Sequence, residues 1–371
     1  MLIITDKSSS RIEINDDERV GLVGRNGSGK TTLIMSALCI NPGRFEAYID
    51  GEDFCKIRDY RILTGILQDT WSQFFQRNCR DELILMSQYA QVDTTIGERI
   101  MGKYYTEDFF KLSDGYRRRY AIACSLALKP KYLLLDEPYS NLDKEASEEL
   151  NRLIPNGSLI AEHRIRALRE LVDRVYLIED FVVKEIDKDK LYDDNFLISK
   201  GLRGFKLPKL DTTLGNTLLD VNVNSIRIRV REGEVLCVVG RNGAGKTTLL
   251  RKLRGKIYVI FQNPNLEFFN PTVREEVGSE EALRLFKLEH LKDRSPFTLS
   301  YGEKMRVLIA TAYASKSKVI GLDEPSVGLD GIGLQALYEM VKLLVEEKRG
   351  LIITTHDEDI LQLCTTTINL G

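Results

Sequence analysis

The sequence predicts an α/β protein of two consecutive domains, each built on a mainly parallel sheet. Three observations predict it. The length, 371 residues, exceeds what one hydrophobic core usually organises. A glycine-rich stretch and an Asp-Glu-Pro stretch each occur twice. Short apolar runs, of the kind expected of parallel strands covered on both faces, end at those stretches. Hydrophobic residues make up 43 % and charged residues 29 % of the chain, which suits a packed protein and excludes a disordered one. Lys and Arg number 53 against 55 Asp and Glu, a net charge of −2, so no global basic field gathers nucleic acid or an anionic membrane surface.

In the first copy, Val20-Gly21-Leu22-Val23 runs into Gly24-Arg25-Asn26-Gly27-Ser28-Gly29-Lys30-Thr31-Thr32. In the second, an apolar run over 235–239 leads to Gly240-Arg241-Asn242-Gly243-Ala244-Gly245-Lys246-Thr247-Thr248. G-x-x-x-x-G-K-[ST] is a phosphate-binding loop: its glycines let successive backbone N–H groups wrap phosphate oxygens, and a helix N-terminus adds its dipole. Lys30 and Lys246 are placed to reach the β- and γ-phosphates, and the hydroxyls of Thr31 and Thr247 to ligate Mg²⁺. Further apolar strands, 132–135 and 319–322, close on Asp136-Glu137 and Asp323-Glu324. The first carboxylate of each pair suits a cation and the second suits the attacking water, which points to hydrolysis and not to binding alone. The next apolar strands run up to His163 and His356.

Spacing shows how the copies differ. Lys30 and Lys246 are 216 positions apart, Gln68 and Gln262 are 194 apart, and Ser113/Ser300, Asp136/Asp323 and Asp143/Asp330 are each 187 apart. The second copy is therefore shortened after its glycine loop and again after Gln262, and then keeps strict register from Ser300 to Asp330. Its first shortening predicts the loss of part of a peripheral antiparallel sheet. Between the copies the pattern weakens around Pro208 and Gly215, giving a first domain over 1–205 with a C-terminal tail, a linker over 206–220 and a shortened second domain over 221–371. No apolar run approaches the 18 residues of a membrane span, and the N-terminus lacks a secretory signal, so a cytoplasmic location is expected. The six cysteines lie at least 16 residues apart, without C-x-x-C spacing, and read as scattered reduced core thiols.

Leu112-Ser113-Asp114-Gly115-Tyr116 and Leu299-Ser300-Tyr301-Gly302-Glu303 each open a helix shortly before the Asp-Glu strand. With these motifs the chain resembles the ATP-binding cassette (ABC) ATPase family over nearly all its length. The resemblance implies two P-loop NTPase domains, each a mainly parallel sheet core with a helical signature subdomain, and ATP and Mg²⁺ as cofactors. It implies an intramolecular pseudo-dimer in which Ser113, Gly115, Ser300 and Gly302 meet the γ-phosphate held by the opposite domain. It also implies Q-loop roles near Mg²⁺ for Gln68 and Gln262, D-loop roles for Asp143 and Asp330, and γ-phosphate switch roles for His163 and His356. The aromatic residue on which the family stacks adenine is missing upstream of both loops: residues 1–20 and 206–240 contain no Phe, Tyr or Trp. The run Arg117-Arg118-Arg119 is expected as a polar helix face with some phosphate-steering effect, and His290 as a solvated residue.

The stretch from Phe261-Gln262 to Val277, with Phe268-Phe269, looks like the corresponding stretch of energy-coupling factor (ECF) ATPases, which energise uptake of vitamins and transition-metal ions. The first copy has a looser version, Gln73-Phe74-Phe75-Gln76. The resemblance implies integral membrane subunits docking near Phe74-Phe75 and Phe268-Phe269, a position on the inner face of the membrane, and no nucleic-acid partner. The alternatives are a tandem ABC ATPase acting on ribosomes or nucleic acid, and the ATPase of another ABC permease. The first of these is expected to show an iron-sulfur domain, a basic linker or a coiled-coil insertion, and none is visible in the sequence.

The two sites are not expected to be equal. Both copies replace the family's first signature glycine, with Tyr301 placed to face one site and Asp114 the other. A carboxylate close to a triphosphate adds repulsion on the order of 1 kcal/mol at ~4 Å even in bulk water. Glu137→Gln should therefore cost more ATP turnover than Glu324→Gln, and Asp114→Gly should raise the activity left in Glu137→Gln. Equal losses, with no gain from the glycine, would remove the asymmetry.

Overall fold

The computed structural model describes the chain apart from residues 7–9, 141, 143, 225, 242 and 371 and the side chains of Trp71 and Asp114. The expected roles of Asp143, Asn242 and the Asp114 side chain lie outside the described residues. The chain divides into two units, Met1–Phe205 and Lys206–Gly371.

The first unit carries ten strands: β1 (Leu2–Asp6), β2 (Arg11–Ile14), β3 (Arg19–Val23), β4 (Phe45–Ile49), β5 (Glu52–Asp53), β6 (Leu63–Ile66), β7 (Tyr132–Asp136), β8 (Ser158–Glu162), β9 (Arg174–Glu179) and β10 (Val182–Ile186). Its main sheet has the order β10-β9-β3-β8-β7-β6 and is parallel except for β10. The strands β7 and β8 are buried along their whole length and β3 along four of five residues, which is why they read as unbroken apolar runs. A second, antiparallel sheet has the order β2-β1-β4-β5. Its strands alternate: Leu2, Ile4, Ile12, Ile14, Phe45, Ala47 and Ile49 point inward, into one core with Leu33, Ile34 and Ala37 of the helix Lys30–Ala37. Between β6 and β7 lies a helical segment with helices Cys79–Ser87, Thr94–Met101 and Asp114–Ala127.

The second unit has β11 (Thr217–Val223), β12 (Ile226–Arg231), β13 (Val235–Val239), β14 (Tyr258–Ile260), β15 (Val319–Asp323), β16 (Gly350–Thr355) and β17 (Thr366–Asn369). Its main sheet, β14-β15-β16-β13-β17, is parallel throughout, and its peripheral sheet is the hairpin β11-β12 alone. The residues missing after its glycine loop are those that form β4 and β5 in the first unit. Its helical segment has shorter helices, Val273–Val277 and Glu280–Leu285, before Tyr301–Ala314. The stretch 206–220, expected as a linker, holds the start of β11. It is bonded to its own unit, with the Leu207 amide donating to Gln362 Oε1 (2.9 Å) and the Thr212 hydroxyl to the Gly233 carbonyl (2.6 Å).

The expectation of six reduced thiols is corrected. Cys39 pairs with Cys55 and Cys237 with Cys364 in disulfides, with Cα atoms 5.5 and 5.6 Å apart, while Cys79 and Cys124 are free and buried. Wide sequence spacing does not mean distance in space: Cys237 lies on β13 and Cys364 just before β17, which pair side by side. No described helix is long and apolar enough to cross a membrane.

Candidate active site

In each unit the parallel sheet brings three strand ends together. The strands β3, β8 and β7 are neighbours, so Gly24 after β3, Asp136 and Glu137 at the end of β7, and His163 after β8 meet at one edge. Likewise β13, β16 and β15 bring together Gly240, His356, Asp323 and Glu324.

The glycine loops need glycine. Gly27 and Gly29 have φ of 76° and 110°, and Gly243 and Gly245 of 86° and 93°, left-handed conformations that a side chain rarely adopts. Such a loop turns its amides inward at the start of the helices Lys30–Ala37 and Lys246–Leu253. The loop lysines are buried. Lys30 Nζ donates to the carbonyls of Gly24 (2.8 Å) and Arg25 (3.1 Å) and lies 3.5 Å from Glu137 Oε1. Lys246 repeats this with Gly240 (2.8 Å), Arg241 (3.3 Å) and Glu324 Oε1 (3.3 Å).

The same glutamate oxygens face the histidines: His163 Nδ1 and Glu137 Oε1 are 3.0 Å apart, as are His356 Nδ1 and Glu324 Oε1. Burial works against ionisation of Glu137, but the hydrogen bond from His163 and the Lys30 charge outweigh it and hold its carboxyl down at about 2. Both glutamates adopt positive φ, 46° and 47°, a strained backbone costing about 1 to 3 kcal/mol. Its appearance at the same motif position in both copies marks these residues as held for a purpose beyond packing.

The preceding aspartates differ. Asp136 is fully buried, both its oxygens lack a hydrogen-bond partner among the described residues, and burial pushes its carboxyl up to about 6. Burial also raises Asp323, but Asp323 Oδ1 accepts from the hydroxyls of Thr354 (2.5 Å) and Thr247 (3.2 Å). Strand register supplies the Thr354 bond: Asp136 sits opposite Ala161 on β8, and Asp323 opposite Thr354 on β16.

Ser113 and Ser300 cap their helices, accepting from the amides of Tyr116 (3.4 Å) and Glu303 (3.4 Å). Gly302 has room for a side chain, whereas a Cβ on Gly115 would come within 3.3 Å of Ala146. Asp330 caps the helix Gly331–Glu346 through the Gly333 amide (3.0 Å). Thr31, Thr32 and Thr248 stand exposed on the first turns of the loop helices. Gln68 and Gln262 are both exposed, but Gln68 Nε2 donates to Glu137 Oε2 (2.9 Å), while Glu324 Oε2 has no hydrogen-bond partner among the described residues. Tyr301 does not stand free at the signature face: its hydroxyl donates to the Gln262 carbonyl of its own unit (3.1 Å).

The arginine run is also corrected. Arg117 donates to the carbonyls of Phe109 and Phe110, Arg119 pairs with Glu149, and Arg118 is 7 % exposed and donates to three backbone carbonyls. Three consecutive helical residues point about 100° apart, so one of them had to face inward. His290 is exposed, as expected.

The sequence profile of the ABC transporter family matches residues 8–140, 223–260 and 251–327, more than half of the chain. The chain belongs to the ABC transporter family. As a member it is a tandem ABC ATPase. A putative ABC transporter ATP-binding protein of Treponema denticola is 26 % identical, over 97 % of this chain and 91 % of the relative. The putative HMP/thiamine import ATP-binding protein YkoD of Bacillus subtilis is 25 % identical, over 94 % and 83 %. Among solved structures, the RNase-L Inhibitor is similar with a TM-score of 0.68 at 20 % identity, over 95 % of this chain and 83 % of that one. The ribosome-bound archaeal Pelota and ABCE1 structure gives 0.67 at 21 %, over 96 % and 73 %. At these identities the likeness is one of fold.

Proposed function

We propose that this ATPase energises a membrane transporter of the ECF type, taking up a vitamin or a transition-metal ion. One observation carries the reading, and it occurs in both copies. The aromatic pair after each Q-loop glutamine splits into a ring packed on its own unit and an exposed one. Phe74 packs on Tyr120 (4.7 Å between centroids) and Phe268 is edge-on to Phe297 (5.9 Å), whereas Phe75 is 84 % and Phe269 82 % exposed. Each exposed ring is held out by a buried glutamate: Glu82 Oε2 accepts from the amides of Phe75 (3.0 Å) and Gln76 (2.7 Å), and Glu276 Oε2 from those of Phe269 (3.0 Å) and Asn270 (2.8 Å). An apolar ring braced outward at the same place in two copies suits a partner's helix. The names of two relatives, a putative ABC transporter ATP-binding protein and a putative HMP/thiamine import ATP-binding protein, support the transport part of this reading.

In this reading the loop amides and the lysines receive the triphosphate, with Lys30 and Lys246 turning from their own loop carbonyls to the phosphates. Glu137, kept ionised beside Lys30 and His163, and Glu324, set beside Lys246 and His356, orient the attacking water, and the two histidines stand where the γ-phosphate would be sensed. Among the described residues no three acidic, His or Cys side chains cluster to hold a metal. A cation would rest on Asp136 with Thr31, or Asp323 with Thr247, and on the phosphates themselves, which suits Mg²⁺. The buried, unpartnered oxygens of Asp136 fit that task. Mg²⁺ would neutralise the charge on the phosphates.

Two predictions follow from the geometry. Asp136 takes up a proton as the pH falls through about 6, and the protonated form is a poor ligand. Mg²⁺ affinity measured with ATP in the Lys246→Ala chain, where the first site alone binds, should then weaken by up to about tenfold per pH unit below that point; a flat response between pH 7.5 and 5 would dismiss Asp136 as the ligand. For docking, Phe75→Ala and Phe269→Ala should each cost about 2 kcal/mol of association with the membrane subunit, roughly thirtyfold in Kd, with basal hydrolysis intact. Affinity purification from cells should bring down a small multispanning membrane protein that these variants lose; recovery of ribosomes instead would favour the translation-related alternative.

A further inference from the structure

The signature helix grips the Q-loop differently in the two copies. In the first, the Arg118 guanidinium donates to the carbonyls of Leu67 (3.0 Å), Gln68 (2.8 Å) and Glu137 (3.4 Å). One side chain thus ties together the helix Asp114–Ala127, the Q-loop and the backbone of the strained glutamate. A planar fork carrying a fixed charge suits this task, since each of its N–H groups can serve a different carbonyl. The amide of Gln68 then meets Glu137 Oε2 at 2.9 Å.

In the second copy the residue in the same register is Met305, which is buried and has no N–H to offer. The helix Tyr301–Ala314 holds the loop there through the Tyr301 hydroxyl, one turn earlier, which donates to the Gln262 carbonyl (3.1 Å), and through Lys304 Nζ, which donates farther along to Asn265 Oδ1 (2.8 Å). Gln262 is exposed, as Gln68 is, but Glu324 Oε2 lacks a hydrogen-bond partner among the described residues, whereas Glu137 Oε2 accepts from Gln68. The two copies are otherwise alike at this point: the glutamates share their φ, their lysine and their histidine. What differs is the grip on the loop that carries the glutamine.

We infer that Arg118 is the positioning residue that seats Gln68 on Glu137, and that the second copy, with Met305 and Tyr301 in its place, leaves Gln262 unseated. The inference rests on the roles proposed above for Gln68 and Glu137. Arg118 acts through Gln68 and touches no substrate, so its effect should fall on kcat and leave the KM for ATP unchanged. It also gives the two sites a structural source of inequality that does not involve Asp114.

The test is a double-mutant cycle in the full chain carrying Glu324→Gln, so that turnover reports the first site. Arg118→Met, which copies the second half, should lower kcat about tenfold with KM within about twofold, the loss of a bond from a charged donor. Arg118→Lys, which keeps a cation able to reach one carbonyl, should restore part of it. Combined with Gln68→Ala, Arg118→Met should add no further loss, because the residue it positions is gone. Multiplying losses in the double variant, or an unchanged kcat in Arg118→Met beside a reduced one in Gln68→Ala, would overturn the inference. Full turnover in Gln68→Ala alone would overturn the role of Gln68 and the inference with it. Should Arg118→Met fail to fold, Arg118→Gln completes the same cycle.

Discussion

A buried lysine set against a buried glutamate organises each half of this chain. Removing two charges from water is costly unless they face each other with further hydrogen bonds, and here those bonds come from the lysine's own loop carbonyls and from a histidine. The arrangement can exist only where three strands end side by side: the one before the glycine loop, the one bearing Asp-Glu, and the one between them bearing His. That constraint explains why β3, β8 and β7 are adjacent and buried, and why β13, β16 and β15 repeat the order although the second unit has lost half of the peripheral sheet. The peripheral strands can be shortened because none of them contributes to the pair.

The strained backbone at Glu137 and Glu324 belongs to the same constraint. A positive φ turns the carboxylate back toward the lysine and the histidine instead of letting it continue along the strand. Around that shared centre the copies diverge in what steadies it. Asp136 faces an alanine and keeps its oxygens unpartnered, whereas Asp323 faces a threonine and is hydrogen-bonded. Gln68 is anchored through Arg118, while the loop of Gln262 is held by Tyr301 at its carbonyl and by Lys304 farther along. Each difference loads the first copy with a poised group that the second lacks.

The fold class, the duplication and the phosphate loops are legible in the sequence because each depends on local spacing: glycine at fixed offsets, apolar strands ending in carboxylates, histidine after the next strand. What sequence could not yield depends on which residues meet across the sheet. The contrast between Ala161 and Thr354 matters only because strand register sets them opposite Asp136 and Asp323. The disulfide Cys237–Cys364 joins cysteines that strand adjacency, and not spacing, brings together. The inward turn of Arg118 was hidden in a run of three arginines, of which a helix can expose only part. Tyr301 looked like a substituent facing the nucleotide until its hydroxyl was seen to bind its own Q-loop.

The central claim is that both halves are complete phosphate sites built on their lysine and glutamate. Calorimetric titration of the full chain with a non-hydrolysable ATP analogue and Mg²⁺ tests it most directly. Two equivalents should bind per chain, falling to one in Lys30→Ala and to one in Lys246→Ala. A single equivalent in the unaltered chain, or a stoichiometry indifferent to either lysine, would contradict the account.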